Sequence, residues 1–183
     1  MSKALFITGT GTDTGKTYIT GLITKKLAEV GLHPAYYKAA MSGNDRRADG
    51  SLIPGDALCV QTMSGITQRL EDMCPYVYEH AYSPHLASRL EEHPVQMNVV
   101  KKGFAQVCEN YDYVTVEYMK AHDLPLKGII FNHCHPGNVM EEDNIFMCEH
   151  MTGLPTLARV CDGDTSLSID AATLSELYDE VTL

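Results

Sequence analysis

The chain has 183 residues and a hydrophobic content of 44%. This is enough for one α/β domain with a buried core, so we expect residues 1–183 to form a single domain. The formal net charge of −10 argues against non-specific nucleic-acid binding. The absence of a membrane-length apolar run, of a signal-peptide pattern and of any C-x-x-C pair among the six cysteines predicts a cytoplasmic protein with free thiols, without membrane contact.

The chain begins with a predicted strand and a candidate phosphate-binding loop. Residues 4–7 form an apolar run typical of a buried parallel strand, and residues 8–17 follow with a Gly-Lys-Thr ending. In such loops the backbone N–H groups surround phosphate oxygens, the lysine reaches the outer phosphates and the threonine coordinates Mg²⁺. The spacing is unusual, because five residues separate Gly9 from Gly15 where the common motif has four. A glycine-rich turn that binds nothing is disfavoured, since strand, loop and helix agree with the motif.

The later elements alternate between strands and helices. Apolar residues recur at helical spacing after Lys16, and Gly31 ends this helix. We then predict, in chain order, a strand at 35–39, a loop at 41–44, helices at 56–63, 84–93 and 95–110, strands at 113–116 and 128–132, a helix at 138–151, a strand at 154–158 and a helix at 171–183. This alternation predicts an α/β, P-loop NTPase-like fold of three layers, with a mostly parallel sheet and helices on both faces.

The junction after the strand at 113–116 lacks loop-forming residues. The segment 117–122 has helical character, and no Gly, Pro, Asn or Asp occurs from Val114 to His122. A parallel crossover normally leaves its strand through a loop of about 2–6 residues. Either the strand bends without a turn residue, or a segment is missing near residues 116–119.

Several motifs together resemble the dethiobiotin synthetase family. They are the glycine-rich loop with Thr12 and Asp13, Tyr37-Lys38 followed by Ser42-Gly43, Asp56-Ala57 at a helix start, Ser83-Pro84-His85, residues 113–117 and residues 128–132. They occur in the family's order over most of the chain. The five-residue spacing between the two loop glycines is also the one that this family uses.

The chain departs from the family pattern at the same junction. In the family, the glutamate after the central strand is followed by a glycine-rich loop and by more sheet and helix, which have no counterpart here. The gap is on the order of one βαβ unit, about 30 residues or more. Glu117 therefore has two interpretations. It is the metal-binding glutamate of the family, or it belongs to the helix that follows the missing piece.

The resemblance implies a cyclo-ligase of biotin biosynthesis. The implied reaction joins 7,8-diaminononanoate and CO₂ at the expense of ATP to give dethiobiotin, ADP and phosphate. It proceeds through a carbamate and a carbamic-phosphoric anhydride, so the protein must mainly position groups and neutralise charge. The implied cofactors are ATP and Mg²⁺. The resemblance also implies a homodimer with the diamine near the subunit interface.

The resemblance also assigns site residues. The catalytic residues would be Lys16, Lys38 and Thr12, and the diamine and carbamate would be bound by Thr12, Lys38 and Ser42. The nucleotide would be bound by Gly9, Thr12, Asp13, Thr14, Gly15, Lys16, Thr17 and Asn132, with Asp13 also stabilising the loop backbone. Mg²⁺ would be held by the oxygen ligands of Thr17, Asp56 and Glu117.

Four of these assignments have a purely structural alternative. Lys38 would be a solvated lysine at a strand end, Asp56 a helix N-cap after Gly55, and Ser42 and Asn132 ordinary turn residues. His85 is expected to be structural or to lie near the diamine tail. The sequence His133-Cys134-His135 is not expected to bind a metal, because its spacing offers no fourth ligand.

Three other functions are compatible with the loop. A related ATP-dependent amidoligase or carboxylating ligase shares the same nucleotide chemistry. A P-loop ATPase switch of the partitioning type usually carries a second lysine just after the first glycine, where this chain has Thr10. The third is a nucleotide-binding protein that the central gap has made inactive.

Overall fold

The structure is a computed structural model that describes residues 1–117 and 125–182. Its strands are β1 (Lys3–Ile7), β2 (Pro34–Tyr37), β3 (Ala40–Met41), β4 (Tyr76–Val77), β5 (Tyr113–Glu117), β6 (Ile129–Cys134), β7 (Thr156–Cys161) and β8 (Asp179–Glu180). Its helices are α1 (Lys16–Glu29), α2 (Gly55–Ser64), α3 (Leu70–Met73), α4 (Pro84–Leu90), α5 (Met97–Asn110), α6 (Val139–Thr152) and α7 (Ala171–Glu176). The predicted α/β fold with a mostly parallel sheet is confirmed.

The main sheet has the strand order β2-β5-β1-β8. Its first three strands are parallel, with Tyr36 opposite Thr115 and Ile7 opposite Glu117. Strand β8 is antiparallel and pairs with the start of β1, at Lys3 and Ala4. Strands β6 and β7 form a separate parallel pair, and β3 pairs in parallel with β4.

Helices cover both faces of the main sheet. On one face, Val114 and Val116 of β5 pack with Val107 of α5. The intervening residues Thr115 and Glu117 point to the opposite face, because side chains alternate along a strand. That second face lies under α1, which is in contact with β5 and β2. Polar residues at the end of β5 are therefore directed toward the helix that follows the glycine-rich loop.

The carboxyl-terminal third differs from the sequence prediction. The predicted helix at 171–183 ends at Glu176, and Asp179–Glu180 forms β8 on the edge of β1. The strand predicted at 154–158 lies at Thr156–Cys161, where it pairs with β6. Within the predicted helical segment at 117–122, Glu117 belongs to β5, and the rest lies outside the described residues. In the first two cases tertiary strand pairing outweighs local propensity.

The short elements β3, α3 and β4 were not predicted. Strand β3 includes Met41, which was assigned to a loop, and α3 and β4 were missed. Two-residue strands carry too few positions for a periodic pattern, so only their pairing partners define them.

The outer edge of β2 is blocked by a buried side chain. Gln68 is fully buried, and its amide bonds both main-chain groups of Tyr36. It accepts from the Tyr36 N–H at 2.8 Å and donates to the Tyr36 carbonyl at 3.0 Å. The amide thus replaces a neighbouring strand at this position and protects an edge that would otherwise be open to pairing.

Alkaline destabilisation should begin near pH 9 through Cys74. Burial raises the pKa of the Cys74 thiol from 9.0 to about 12. As the pH rises, the thiol of the unfolded chain loses its proton before the thiol of the folded chain. The contribution of Cys74 to the free energy of unfolding is therefore fully present below pH 9. It falls between pH 9 and 12 by about 1.4 kcal/mol per pH unit. Urea unfolding of Cys74→Ala should show a smaller slope between pH 9 and 10, with a remainder from Cys59, Cys108 and Cys134, whose pKa values burial also raises. Cys148→Ala should retain it, and equal slopes in both variants would contradict the assignment.

Candidate active site

The glycine-rich loop leads directly into helix α1. Gly15 is the N-cap of this helix and has a left-handed backbone with φ of 83°. The Lys16 ammonium donates to the Gly11 carbonyl, so the lysine folds back over its own loop. Thr12 and Asp13 are exposed at the tip. The loop thus has the strand–glycine–helix geometry that suits backbone capture of phosphate.

Four polar side chains meet beside this loop, and we call them the strand-end cluster: Thr17, Lys38, Asp56 and Glu117. The Lys38 ammonium lies 2.6 Å from Asp56 Oδ2 and 2.7 Å from Glu117 Oε1. The Thr17 hydroxyl lies 3.1 Å from Asp56 Oδ1 and 3.2 Å from Glu117 Oε2. The side chains predicted to bind the metal and the predicted catalytic lysine are therefore in direct contact.

The sheet order explains why these residues meet. Lys38 directly follows β2, Glu117 ends β5, and Thr17 stands in the first turn of the helix after β1. Because β2, β5 and β1 are adjacent and parallel, their carboxyl ends lie side by side. Asp56 comes from the first turn of α2, where the positive end of the helix dipole favours a carboxylate.

Charge compensation in the cluster is incomplete. The Glu117 side chain is only 2% exposed, whereas that of Asp56 is 37% exposed. Burial alone would lower the pKa of Lys38, but the Glu117 and Asp56 carboxylates outweigh burial and raise that pKa above its ordinary value. Lys38 therefore remains a cation between two carboxylate groups. Two carboxylates and a hydroxyl also form the hard oxygen set that Mg²⁺ prefers.

Tyr36 is a member of this site that was not predicted. Its hydroxyl is buried and donates to Glu117 Oε2 at 3.0 Å. Burial, followed by the Glu117 charge, raises the pKa of Tyr36 well above its ordinary value, so the phenol stays a donor. One sequence signal was present: Tyr36 is two residues before Lys38 and thus on the same strand face.

We expect Tyr36→Phe to weaken metal-dependent activity by misplacing Glu117. Loss of a hydrogen bond to a buried carboxylate costs about 1.5–3 kcal/mol, part of which should appear as a several-fold higher Mg²⁺ requirement. The measurement is the Mg²⁺ concentration for half-maximal ADP release, together with urea unfolding. Tyr37→Phe is the matched control, because the Tyr37 hydroxyl donates to the Val100 carbonyl on the other face. Similar Mg²⁺ requirements in both variants would overturn the expectation.

Asn132, near the end of β6, also lies against the glycine-rich loop. Its side-chain amide donates to the Thr14 carbonyl at 3.3 Å. A Cβ atom at Gly15 would come within 2.1 Å of the Asn132 nitrogen, so this close approach requires glycine. The end of β6 therefore stands against the glycine-rich loop.

The neighbouring histidines are engaged in pairs. His133 contacts Asp162, and His135 lies 2.8 Å from Glu141. Across residues 1–117 and 125–182, no group of three or more potential metal-binding His, Cys, Asp or Glu side chains is found.

Two local expectations need correction. The N-cap of α2 is Pro54, and the side chain of Asp56 points into the cluster. In the described part of the chain, the Asp13 side chain makes no hydrogen bond to the loop backbone that it was expected to stabilise, and its φ of 57° is left-handed. The Ser42 hydroxyl donates to the Tyr82 carbonyl at 2.5 Å, and its role toward the diamine stays a prediction.

Asn44 is a further residue that the sequence prediction missed. Its side-chain oxygen accepts from the Gly55 N–H at 2.9 Å, and its amide donates to the Tyr78 carbonyl at 2.8 Å. Asn44 is buried, and it thereby fixes the start of α2, which carries Asp56.

Proteins of similar sequence share one description. The ATP-dependent dethiobiotin synthetase of Brachyspira hyodysenteriae is 31% identical over an alignment that covers 98% of this chain and 100% of the relative. That of Clostridium perfringens is 32% identical, covering 87% of the chain and 91% of the relative. The chain belongs to the dethiobiotin synthetase family. A family model described as "AAA domain" also matches residues 3–114.

The family matches are uneven in length. The alignment with the Brachyspira synthetase extends over 228 positions, although the chain has 183 residues. A synthetase of Clostridium botulinum is 47% identical over 117 residues, which are 64% of this chain and 51% of the relative. Members of the family therefore contain residues without a counterpart here. Among the described residues, no helix has both the length and the apolar character needed to cross a bilayer.

Proposed function

We propose that the chain catalyses ATP-dependent closure of the ureido ring of dethiobiotin from 7,8-diaminononanoate and CO₂. The observation that carries the proposal is the strand-end cluster beside the glycine-rich loop. It joins a retained lysine cation and two carboxylates to Thr17 in the first turn of the helix after the loop, and this proximity supports a site for the outer phosphates of a nucleotide. This arrangement suits a reaction in which an anionic carbamate attacks a phosphoryl group.

In this proposal the two lysines neutralise developing charge. One substrate amine captures CO₂ as a carbamate with loss of a proton, and a carbamate oxygen attacks the γ-phosphorus as ADP leaves. The second amine then attacks the carbamic-phosphoric anhydride, closes the ring and expels phosphate. Lys16 and Lys38 would stabilise the carbamate and the phosphoryl oxygens, and this electrostatic role is the main catalytic contribution of the protein. Thr12 and Ser42 would supply hydroxyls to the carbamate and diamine.

The residues present fit a magnesium ion. Thr17, Asp56 and Glu117 would hold it, since their oxygens already converge in the cluster. Bound Mg²⁺ would neutralise negative charge on the phosphate oxygens. Asn132 would read the nucleotide base, because an amide can both donate and accept at a purine edge.

The test is ADP release with and without diaminononanoate and bicarbonate. A ligase should release ADP only when both are present, and dethiobiotin should form in equal amount. ADP release that does not depend on these substrates would instead support a partitioning-type ATPase switch.

A nucleotide-binding protein without ligase turnover is the second candidate. It is favoured by the 228-position alignment, which shows that a full-length relative has residues that this chain lacks. The same assay separates the two: saturable ATP binding with no ADP release, even with both substrates present, would support the second candidate.

We further propose a single-domain cytoplasmic enzyme that forms a homodimer. The dimer proposal is supported by exposed apolar side chains on α6: Val139, Met140, Phe146, Met147 and Met151. A patch of this kind commonly marks a protein interface. Sedimentation velocity of the purified chain measures the oligomeric state directly.

A further inference from the structure

Cys134 and Cys161 stand opposite one another at the ends of two paired strands. They are register partners in the parallel ladder of β6 and β7. Neighbouring strands lie about 4.8 Å apart, and paired residues direct their side chains to the same face of the ladder. A disulfide needs Cα atoms about 4.4–6.8 Å apart. The backbone therefore holds two free cysteines at a separation that a disulfide can bridge.

A bulge in β6 creates this pairing. Asn132 is opposite Val160 and Cys134 is opposite Cys161, so His133 is an extra residue on β6. Its φ of 57° is left-handed, which is uncommon for a residue other than glycine. In an uninterrupted ladder, His133 would stand opposite Cys161 instead. The bulge thus redirects the end of β6 and brings one cysteine opposite the other.

The two thiols share one partly buried environment. Both cysteines are partly exposed, so small molecules in solution can reach them. Burial raises the pKa of the Cys134 thiol, the Val160 backbone opposes this rise, and the negative charge of a Cys161 thiolate adds to it. The two sulfur atoms therefore lie close enough for the charge of one to affect the other. The remaining four cysteines, all within the described residues, lie in helices or at a helix end.

We propose that Cys134 and Cys161 form a reversible dithiol–disulfide site, which hydrogen peroxide oxidises and small thiols reduce. One thiolate attacks the peroxide, takes up one oxygen atom as a sulfenic acid and releases hydroxide. The second thiolate then attacks that sulfur, forms the S–S bond and expels a second hydroxide. The two protons that the thiols lost convert both hydroxides to water. A pair of this kind stays reduced in a reducing compartment and closes only under oxidant.

The disulfide would join two segments that contact the glycine-rich loop and the helix after it. Asn132, two residues before the first cysteine, donates to the Thr14 carbonyl in the loop. Beyond the second cysteine, the Thr165 carbonyl accepts from Lys25 of α1 at 2.9 Å. Oxidation therefore fixes these two segments to each other and makes the ends of β6 and β7 more rigid.

The test is oxidation of the full chain by a small excess of hydrogen peroxide. We expect the chain to lose two hydrogen atoms in mass and two free thiols, with both cysteines in one cross-linked peptide. The bond closes a loop of about 28 residues, so Tm should rise by about 5 °C or more. Amide hydrogen exchange at residues 132–134 and 161–164 should become several-fold slower. Dithiothreitol should reverse all of these changes.

Serine variants separate this site from the other thiols. Cys134→Ser should lose the cross-link and the rise in Tm, and should leave Cys161 as a sulfenic acid that dimedone traps. Cys59→Ser, at an exposed cysteine on α2, should keep the cross-link and the rise.

Several results would overturn the proposal. They are a cross-link to Cys148, a cross-link between chains, sulfinic or sulfonic acid in place of the disulfide, and an unchanged thiol count. The peptide map of the unsubstituted chain decides the matter even where Cys134→Ser folds poorly. None of these readouts requires ligase activity.

Discussion

Lys38→Ala should abolish substrate-dependent ADP release while leaving ATP affinity largely intact. The Lys38 ammonium is held between Asp56 and Glu117 and remains charged, so its proposed role is to stabilise the carbamate and the attacked phosphoryl group. Removing one such charge from an enclosed site typically costs about 10²–10³ in turnover. In the proposed function, ATP affinity would depend mainly on the loop backbone and Lys16. The two measurements are ADP release and ATP binding by calorimetry.

The control for this variant must separate chemistry from folding. Alanine at Lys38 leaves the buried Glu117 carboxylate without its cation, and breaking a buried pair costs about 3–5 kcal/mol, less here because Asp56 is partly exposed. Urea unfolding should therefore accompany the assays. Lys101→Ala, at an exposed lysine on α5, should change neither stability nor turnover. Equal loss of ATP affinity and turnover in Lys38→Ala would contradict the role assigned to Lys38.

Glu117→Gln should raise the Mg²⁺ requirement of ADP release by about tenfold or more. The glutamine keeps the size of the side chain and removes its charge, and a single lost charge-assisted contact is worth about 1.5–3 kcal/mol. Glu117 contacts Thr17, Lys38 and Tyr36, so its substitution affects most of the cluster. Titration with Mg²⁺ at saturating ATP measures the shift, and high Mg²⁺ should restore part of the activity.

Glu142→Gln is the matched control for this substitution. Glu142 lies on α6 and pairs with Arg159 at 2.7 Å, with both side chains about half exposed. An exposed pair of this type contributes little, about 0–1 kcal/mol. An unchanged Mg²⁺ requirement in Glu117→Gln would contradict the metal-binding role and leave Glu117 with a structural role in the cluster.

Much of the fold was predictable because its major elements carry strong local patterns. The strand at 4–7, the helix after Lys16 and the strand at 113–116 were each found within one or two residues. Strand β8 was not predictable, since Asp179 and Glu180 have no apolar pattern and become a strand only through the edge of β1. Helix α3 and strand β4 were not predictable because elements of two to four residues are too short to show a periodic pattern.

The site was predictable in its members but not in its contacts. The resemblance named Thr17, Lys38, Asp56 and Glu117, yet it left Glu117 either on the central strand or in a later helix. The structure places Glu117 at the end of β5, opposite Ile7 of β1. Tyr36 was missed because its contact with Glu117 follows from the adjacency of β2 and β5, which local sequence patterns do not contain.

All side chains of the strand-end cluster come from the first part of the chain. All four of its side chains, and Tyr36 as well, come from residues up to Glu117, whereas β6, β7 and α6 follow this point. A genetic deletion after β5 would consequently shorten the protein without removing any contact within the cluster. Mutational tolerance should therefore differ between the two parts of the gene: the first is constrained by the chemistry of the cluster, and the second by Asn132 and by packing.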